Sequence, residues 1–563
     1  MKKLFALLLV LAMTLSLFAG CKEEKPAEEK VETTEATEAT EPAPREPLVP
    51  ALEEGADILT FRYEEKYLTL CYEKLEAYEK AALDNDQAAV DALDLDIEEL
   101  SDFIYDQAVI AEVLHYCNTK DEEVSDRHLE MQDLLLDLAD TEILTMRRIY
   151  QSDSELIDHI FEDWTEEEIQ YMLDYTSEVT EIQKEQENLL VDVREMEDDQ
   201  LEEEAGAYYS QLVAGNNRTA EIFGYDSYYE YAYASTYDRD YTIEEVEILR
   251  GYVKEHALEI FEAAIDRFYE NYEELSSSQQ RKFSEMLYSD YDETDYLEEY
   301  LEDLPDGMGE EMLTMLEDGW SVFPKGAKAR EGAFTTLISG HPFCYFSRGY
   351  KTMDTLAHEM GHYYAALHGA MESLPLDLAE IQSQGNEWLM IVHSADEMNE
   401  ELYECYLDYR FANDIVTVLI SVLIDEFEQE VYALDSVEGF TTEDFDEIIK
   451  EIAKEYGGAK KMKDVIGVDI CEYWRQVSLE HPGYYISYAV SMIPSLDIFF
   501  SASEDWDAAV KIYQDLTLNL DEEAEFLETL EKVGLATPFE DTVFNKLLKR
   551  YELIEAEEEA KAA

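Results

Sequence analysis

Very little in this chain interrupts a helix, and that limits its fold more than any other feature. Its 563 residues include only 22 glycines and 12 prolines, about 4% and 2%, against usual shares of roughly 7% and 5%. Glycine weakens a helix through backbone entropy, and proline breaks it by lacking an N–H. Between these few breakers, apolar residues recur at helical spacing. Met131, Leu134, Leu135 and Leu138 form one such i, i+3, i+4, i+7 stripe, with Asp and Glu around it. The expectation is a mainly α fold, helical from about Ile58 to Trp320 and again from Asp354 to about Arg550. Acidic inserts at 120–126 and 196–204 read as solvated turns or helix ends. The texture changes at Phe323-Pro324-Lys325-Gly326, and Gly332 to Phe346 is rich in β-branched and aromatic residues between glycines. That stretch predicts a small hairpin.

The first residues describe export. Met1-Lys2-Lys3 precedes an apolar run from Leu4 to Ala19, which is short for a bilayer span of about 20 residues and has the charge and small residues of a secretory signal. Phe18-Ala19-Gly20-Cys21 resembles the bacterial lipobox, in which the cysteine becomes the lipidated first residue. From Lys22 to about Val49 the chain is Glu, Thr, Ala, Pro and Lys, with almost nothing to bury, and reads as a disordered tether. The expected division is a lipoprotein signal at 1–20, an acidic tether at 21–49, an N-terminal helical region at 50–325, a catalytic domain at 326–550 and a tail at 551–563. The expected location is extracytoplasmic, anchored to the bacterial membrane through lipid on Cys21 alone.

A net charge of −93 makes nucleic acid an unsuitable partner, since its phosphates would be repelled. Cysteines stand at 21, 71, 117, 344, 405 and 471, with no CxxC pair, which argues against a disulfide framework or a thiolate zinc cluster.

His358-Glu359-Met360-Gly361-His362 carries the chemistry. Residues four apart on a helix lie about 40° around and about 6 Å along, so both imidazoles can meet one ion. Glu359 lies about 100° away, beside such an ion, where a general base for an attacking water belongs. With 10 histidines and 134 acidic residues in 563, roughly 0.04 chance matches to His-acid-x-x-His are expected. A catalytic zinc site needs a third protein ligand and one open position. The candidate is Glu380, on a helix opening near Pro375, although an exposed acid is an equal reading in so acidic a chain. Glu387 falls about 20° from Glu380 on the same helix face and could orient a ligand histidine through its second ring nitrogen.

His358-Glu-Met-Gly-His362 followed by Leu378-Ala-Glu-Ile-Gln-Ser-Gln-Gly-Asn-Glu387 closely resembles the oligoendopeptidase F and thimet oligopeptidase family. The resemblance implies that Glu380 is the third zinc ligand. It also implies one Zn²⁺ per chain and a helical body with a deep channel, covered by the N-terminal region, that admits short unstructured peptides. Gly332-Ala333-Phe334 and His341-Pro342-Phe343 are similar to the family's strand region, which makes Gly332 and His341 candidate substrate contacts. His481-Pro482-Gly483-Tyr484-Tyr485-Ile486-Ser487-Tyr488 is similar to its substrate segment. That match implies catalytic roles for His481 and Tyr488 and substrate contacts for Tyr484 and Tyr485. The oxyanion donor is Tyr488 or Tyr484, one turn apart on one helix face. The resemblance is specific over about 330–500, although both the His362–Glu380 and the His481–Tyr484 stretches are shorter than the family's.

The expected activity is metalloendopeptidase cleavage of short peptides at the cell envelope. Two alternatives stand beside it: a catalytically idle peptide-binding lipoprotein of the same fold, and a dipeptidyl- or carboxypeptidase-type exopeptidase.

Overall fold

The computed structural model describes residues 45–554, apart from 54, 197, 289–295, 327, 370–374, 396–397, 468, 519 and 521–523. The signal segment, Cys21, the tether up to residue 44 and the tail from 555 lie outside the described residues. Helices dominate, with one three-stranded sheet among the described residues. The mainly α expectation holds.

The chain divides into two compact units, whose described parts are 45–173 with 336–341, and 174–335 with 342–554. In the first, three long helices follow one another: α1 (Glu65–Asp84), α2 (Gln87–Cys117) and α3 (Glu122–Tyr150). Asp86 and Asp121 cap α2 and α3 by accepting the N–H of Ala89 and Val124, which satisfies donors that a helix start leaves open. The stripe read from the sequence faces inward, with Met131, Leu135 and Leu138 buried.

α4 (Leu258–Glu274) lies in the second unit and precedes in sequence the sheet, which contains β1 (Ser321–Val322), β2 (Ala333–Ile338) and β3 (His341–Phe346) in the order β1-β3-β2. β1 runs parallel to β3, and β2 is an edge strand. Ser339 and Gly340, at φ 55° and 70°, make the two-residue turn of the expected hairpin. Four core helices follow: α5 (Met353–Leu367), α6 (Leu376–His393), α7 (Glu400–Tyr432) and α8 (Ile486–Glu504). Where α6, α7 and α8 meet, the rings of Trp388, Phe411 and Phe499 pack with centroids 4.9–5.0 Å apart. α8 is long and apolar enough to cross a bilayer, but 78% of its apolar stretch is buried within the protein.

α6 is unusual in being buried all round, from Asp377 to Ile391, although seven of those 15 residues are polar. Buried polar groups need partners, and neighbouring elements provide several of them, although Asp377 Oδ1, Gln384 Oε1 and Trp388 Nε1 have no hydrogen bond. Gln382 Nε2 donates to Leu516 O at 2.8 Å, Asn386 Nδ2 to Ala357 O at 2.6 Å, and Tyr300 OH to Asn386 Oδ1 at 2.6 Å. α5 crosses α6 closely because residue 361 is glycine. A Cβ there would stand 2.6 Å from Gln382 O and 2.8 Å from Ser383 Cα. The cysteines at 71, 117, 344, 405 and 471 are free.

Candidate metal centre

Thr352 caps α5 by accepting the Thr355 N–H, and α5 then presents His358 and His362 from successive turns. Their rings lie 4.9 Å apart and nearly perpendicular, at 80°. α6 opens after Pro375 and brings Glu380 to the same place. Ligand atoms from His358, His362 and Glu380 all lie within 4.8 Å of one another, and His358 Nε2 stands 3.8 Å from Glu380 Oε2. Tetrahedral zinc, with bonds of about 2.0–2.2 Å, needs ligand atoms about 3.4 Å apart. The donor set of two imidazoles and one carboxylate therefore fits a zinc-type ion after small side-chain adjustments. Among the described residues this is the one such cluster.

The electrostatics favour a cation. Burial pulls His358 down. Its hydrogen bond to Glu387 and the charges of Glu387, Glu359 and Glu380 outweigh burial and push it up to about 9. Surroundings that hold a proton this firmly also attract a divalent ion. Burial, reinforced by His358, lowers His362 well below the usual histidine range and leaves a neutral imidazole. Burial raises Glu380, against the lowering effects of His358, Ser383 and Tyr484.

Glu387, two turns after Glu380 on α6, lies beside the His358 ring. Its Oε1 is 2.8 Å from His358 Nδ1 and its Oε2 accepts from Arg410 Nη2 at 2.7 Å. Burial raises Glu387, but Arg410 and His358 outweigh it and hold the carboxylate below its usual range. Arg410 also pairs with Asp354 at 2.9 Å, and Tyr406 OH donates to Asp354. This chain fixes His358 with Nε2 turned toward the cluster, as histidine–carboxylate pairs do in metal sites.

Glu359 is 3% exposed, and its Oε2 accepts from Thr335 Oγ1 on β2 at 2.7 Å. Burial pushes it up to about 7, against the lowering influence of His358 and Thr335. A carboxylate in that range can both take and return a proton at neutral pH.

The C-terminal tyrosines reach the cluster from the start of α8. Tyr484 OH donates to Glu380 Oε1 at 3.3 Å and lies 3.4 Å from Tyr488 OH. Burial raises the Tyr488 phenol, as do the charges of Glu380 and Glu359, so it stays a protonated donor. The His481 ring lies 5.7 Å from Tyr484, and Tyr485 packs on Tyr488 at 5.5 Å. Gly332 and His341 sit at opposite ends of the hairpin. Gly332 exchanges hydrogen bonds with Ser347 at 2.9 Å, and His341 opens β3. The sequence reading missed Thr335, Arg410 and the close-approach role of Gly361. Only Gly361 left a signal, as a glycine inside a helical motif.

Residues 321–547 match the model of peptidase family M3. No curated protein matches the chain. Among solved structures, the chain is similar to PZ peptidase A with an inhibitor, at TM-score 0.66 and 18% identity, covering 89% of this chain and 100% of that one. It is also similar to a protein from Bacillus anthracis assigned as an oligoendopeptidase F, at TM-score 0.63 and 15% identity, covering 89% and 97%. A third is oligoendopeptidase F from Enterococcus faecium, at TM-score 0.54 and 15% identity, covering 87% and 96%. At these identities the structural likeness establishes the fold.

Proposed function

We propose that this chain, a metalloendopeptidase whose residues 321–547 form its peptidase family M3 domain, uses one zinc ion to hydrolyse short unstructured peptides at the bacterial cell envelope. The observation that carries the reading is the convergence of His358, His362 and Glu380 within 4.8 Å, with Glu359 alongside. The relatives of similar fold are themselves peptidases by name, which supports peptides as substrates. β2 is an edge strand, so an extended peptide could hydrogen-bond along it, next to the Thr335 that holds Glu359. The lipobox-like Phe18-Ala19-Gly20-Cys21 and the acidic tether support the envelope location.

In this mechanism His358, His362 and Glu380 hold the metal, and Glu387 keeps the His358 ring oriented. When bound, zinc supplies Lewis acidity, making water a stronger acid and polarising a carbonyl. Glu359 removes the proton from the attacking water at its carboxylate and passes it to the leaving amine. Thr335 holds that carboxylate in one rotamer meanwhile. Tyr488 donates a hydrogen bond to the oxygen that gains negative charge, the most valuable kind of interaction at an acyl centre. Tyr484, already bonded to Glu380, backs the Tyr488 hydroxyl. By the family resemblance His481 keeps a catalytic role beside Tyr488, and Tyr484, Tyr485, Gly332 and His341 are assigned to substrate contact.

Glu359→Gln tests the assignment. It should retain one zinc per chain while cleavage of a quenched fluorescent peptide falls by about 10²–10⁴-fold. Wild-type turnover by the Gln variant would remove Glu359 from this role, and metal-free wild type that cleaves normally would remove the metal. Mass spectrometry of the products separates internal cleavage from removal of terminal residues.

A further inference from the structure

Arg239 carries a buried cation that the mechanism above does not use. It follows a π-helical turn at Ala232–Thr236 and a left-handed Asp238, φ 46°. Such backbone departures persist only where the surroundings hold them, and they gather near functional sites. The side chain is 0% exposed. Its guanidinium lies over the rings of Tyr233, Tyr237 and Tyr241, at 4.5, 4.4 and 5.9 Å from their centroids. Nε stands 3.6 Å from Asp377 Oδ2, which also accepts from Tyr241 OH at 2.7 Å. Nη2 donates to Gly483 O at 2.8 Å and to Ser487 Oγ at 2.9 Å.

Both ends of this bridge lie next to the metal centre. Asp377 is in the first turn of α6, one turn before Glu380. Gly483 immediately precedes Tyr484, whose hydroxyl donates to Glu380. The Pro482–Gly483 turn is gripped elsewhere as well: Tyr237 OH donates to Pro482 O at 2.8 Å, and Glu428 accepts the Gly483 N–H at 2.6 Å. Gly483 has φ 79°, and a Cβ there would stand 3.1 Å from Tyr237 Cε2, so the turn also depends on its glycine. Packing alone does not call for a buried cation, because an apolar side chain of similar volume usually stabilises as well or better. Arginine suits the place because its planar cation lies among three tyrosine rings while Nη2 holds the turn and Nε faces the Asp377 carboxylate as an ion pair at 3.6 Å.

We infer that Arg239 is a positioning residue that ties the first turn of α6 to the Pro482–Gly483 turn. It thereby fixes the Tyr484 hydroxyl against Glu380 and, through it, the Tyr488 hydroxyl. The inference rests on the metallopeptidase reading, and its test includes measurements that need no turnover. Arg239→Lys keeps the charge and loses the fork. The pair Ser487→Ala and Tyr241→Phe keeps the arginine and removes hydrogen bonds at the two ends. Full-length proteins are compared for thermal midpoint, zinc affinity against a chromophoric chelator, the visible spectrum of the cobalt(II)-substituted form, kcat and KM.

Arg239→Lys should weaken zinc binding by about 10–100-fold, the usual effect of disturbing the groups behind a metal ligand. It should also shift the cobalt bands and lower kcat at least tenfold with KM within about threefold. The paired variants should move the same readings in the same direction, and they carry the test if Arg239→Lys does not fold. A folded variant with a lower midpoint but wild-type zinc affinity, cobalt spectrum and kcat would overturn the inference and leave Arg239 a structural residue. Wild type that binds zinc yet cleaves no peptide would instead overturn the peptidase reading, while zinc affinity and the cobalt spectrum would still decide the role of Arg239.

Discussion

Gly361→Ala offers a direct test of how the metal centre is built. The added Cβ would stand 2.6 Å from Gln382 O and 2.8 Å from Ser383 Cα, where ordinary contact begins at 3.4 Å. Both obstacles are backbone, so no side chain can swing aside, and α5 and α6 must part by about 0.8 Å at the crossing (3.4 − 2.6). Metal–ligand distances tolerate only about 0.2 Å, so a displacement several times larger separates Glu380 from the two histidines. The same movement would stretch the Asn386–Ala357 hydrogen bond from 2.6 Å toward the limit of a real bond. Overpacking of this kind costs about 1–3 kcal/mol, which a protein of this size should survive. The expected result is a folded protein whose zinc affinity, measured by chelator competition, has fallen by at least 10–100-fold. Gly385→Ala is the control. Its Cβ meets the side-chain atom Ile498 Cδ1 at 2.8 Å, so it should strain the α6–α8 packing yet leave zinc affinity within about threefold. Wild-type zinc affinity in Gly361→Ala, or an equal loss in Gly385→Ala, would refute the reasoning.

Four further outcomes follow from the same structure. Thr335→Val removes the hydroxyl that orients Glu359, and kcat should fall about tenfold with zinc content unchanged, as metal analysis beside steady-state kinetics would show. Arg410→Met strips the cation from between Glu387, Asp354 and Asp414, and should destabilise by about 3–5 kcal/mol and weaken zinc binding, read by denaturant unfolding and chelator competition. Burial pushes Glu428 up to about 7 from 4.5, so the folded protein binds its proton more tightly than the unfolded chain does. The stability this contributes is complete below about pH 4.5 and is lost as pH rises through about 7, an effect of about 3 kcal/mol. Glu428→Gln should therefore raise the urea midpoint at pH 8 and lose that advantage near pH 5, and an equal gain at both pH values would contradict it. Removing metal with a chelator should lower stability by about 4 kcal/mol relative to protein held at a thousand times its zinc dissociation constant, visible as a calorimetric shift.

The sequence revealed what depends on spacing within one element. Helical periodicity, the scarcity of breakers and the aromatic run from Gly332 to Phe346 foretold long helices and a hairpin, since these patterns follow from local backbone geometry. His358 and His362 could be read together because one helix face joins them. Glu380 was hard to distinguish among 134 acidic residues until the family resemblance was considered. Its environment shows why: α6 is buried on every side, so periodicity cannot tell a facing residue from a hidden one. Thr335, Arg410 and Arg239 were invisible for another reason. Their partners lie 24, 23 and 244 residues away, and no local pattern encodes such pairings.

The three candidate ligands come from two consecutive helices, with Glu380 only 22 positions after His358 (380 − 358). Bringing together the ends of so short a stretch takes little chain entropy, so this helical pair can gather its metal-binding groups without waiting for α8 and its tyrosines. An ion captured at that stage would add its binding energy to the growing fold.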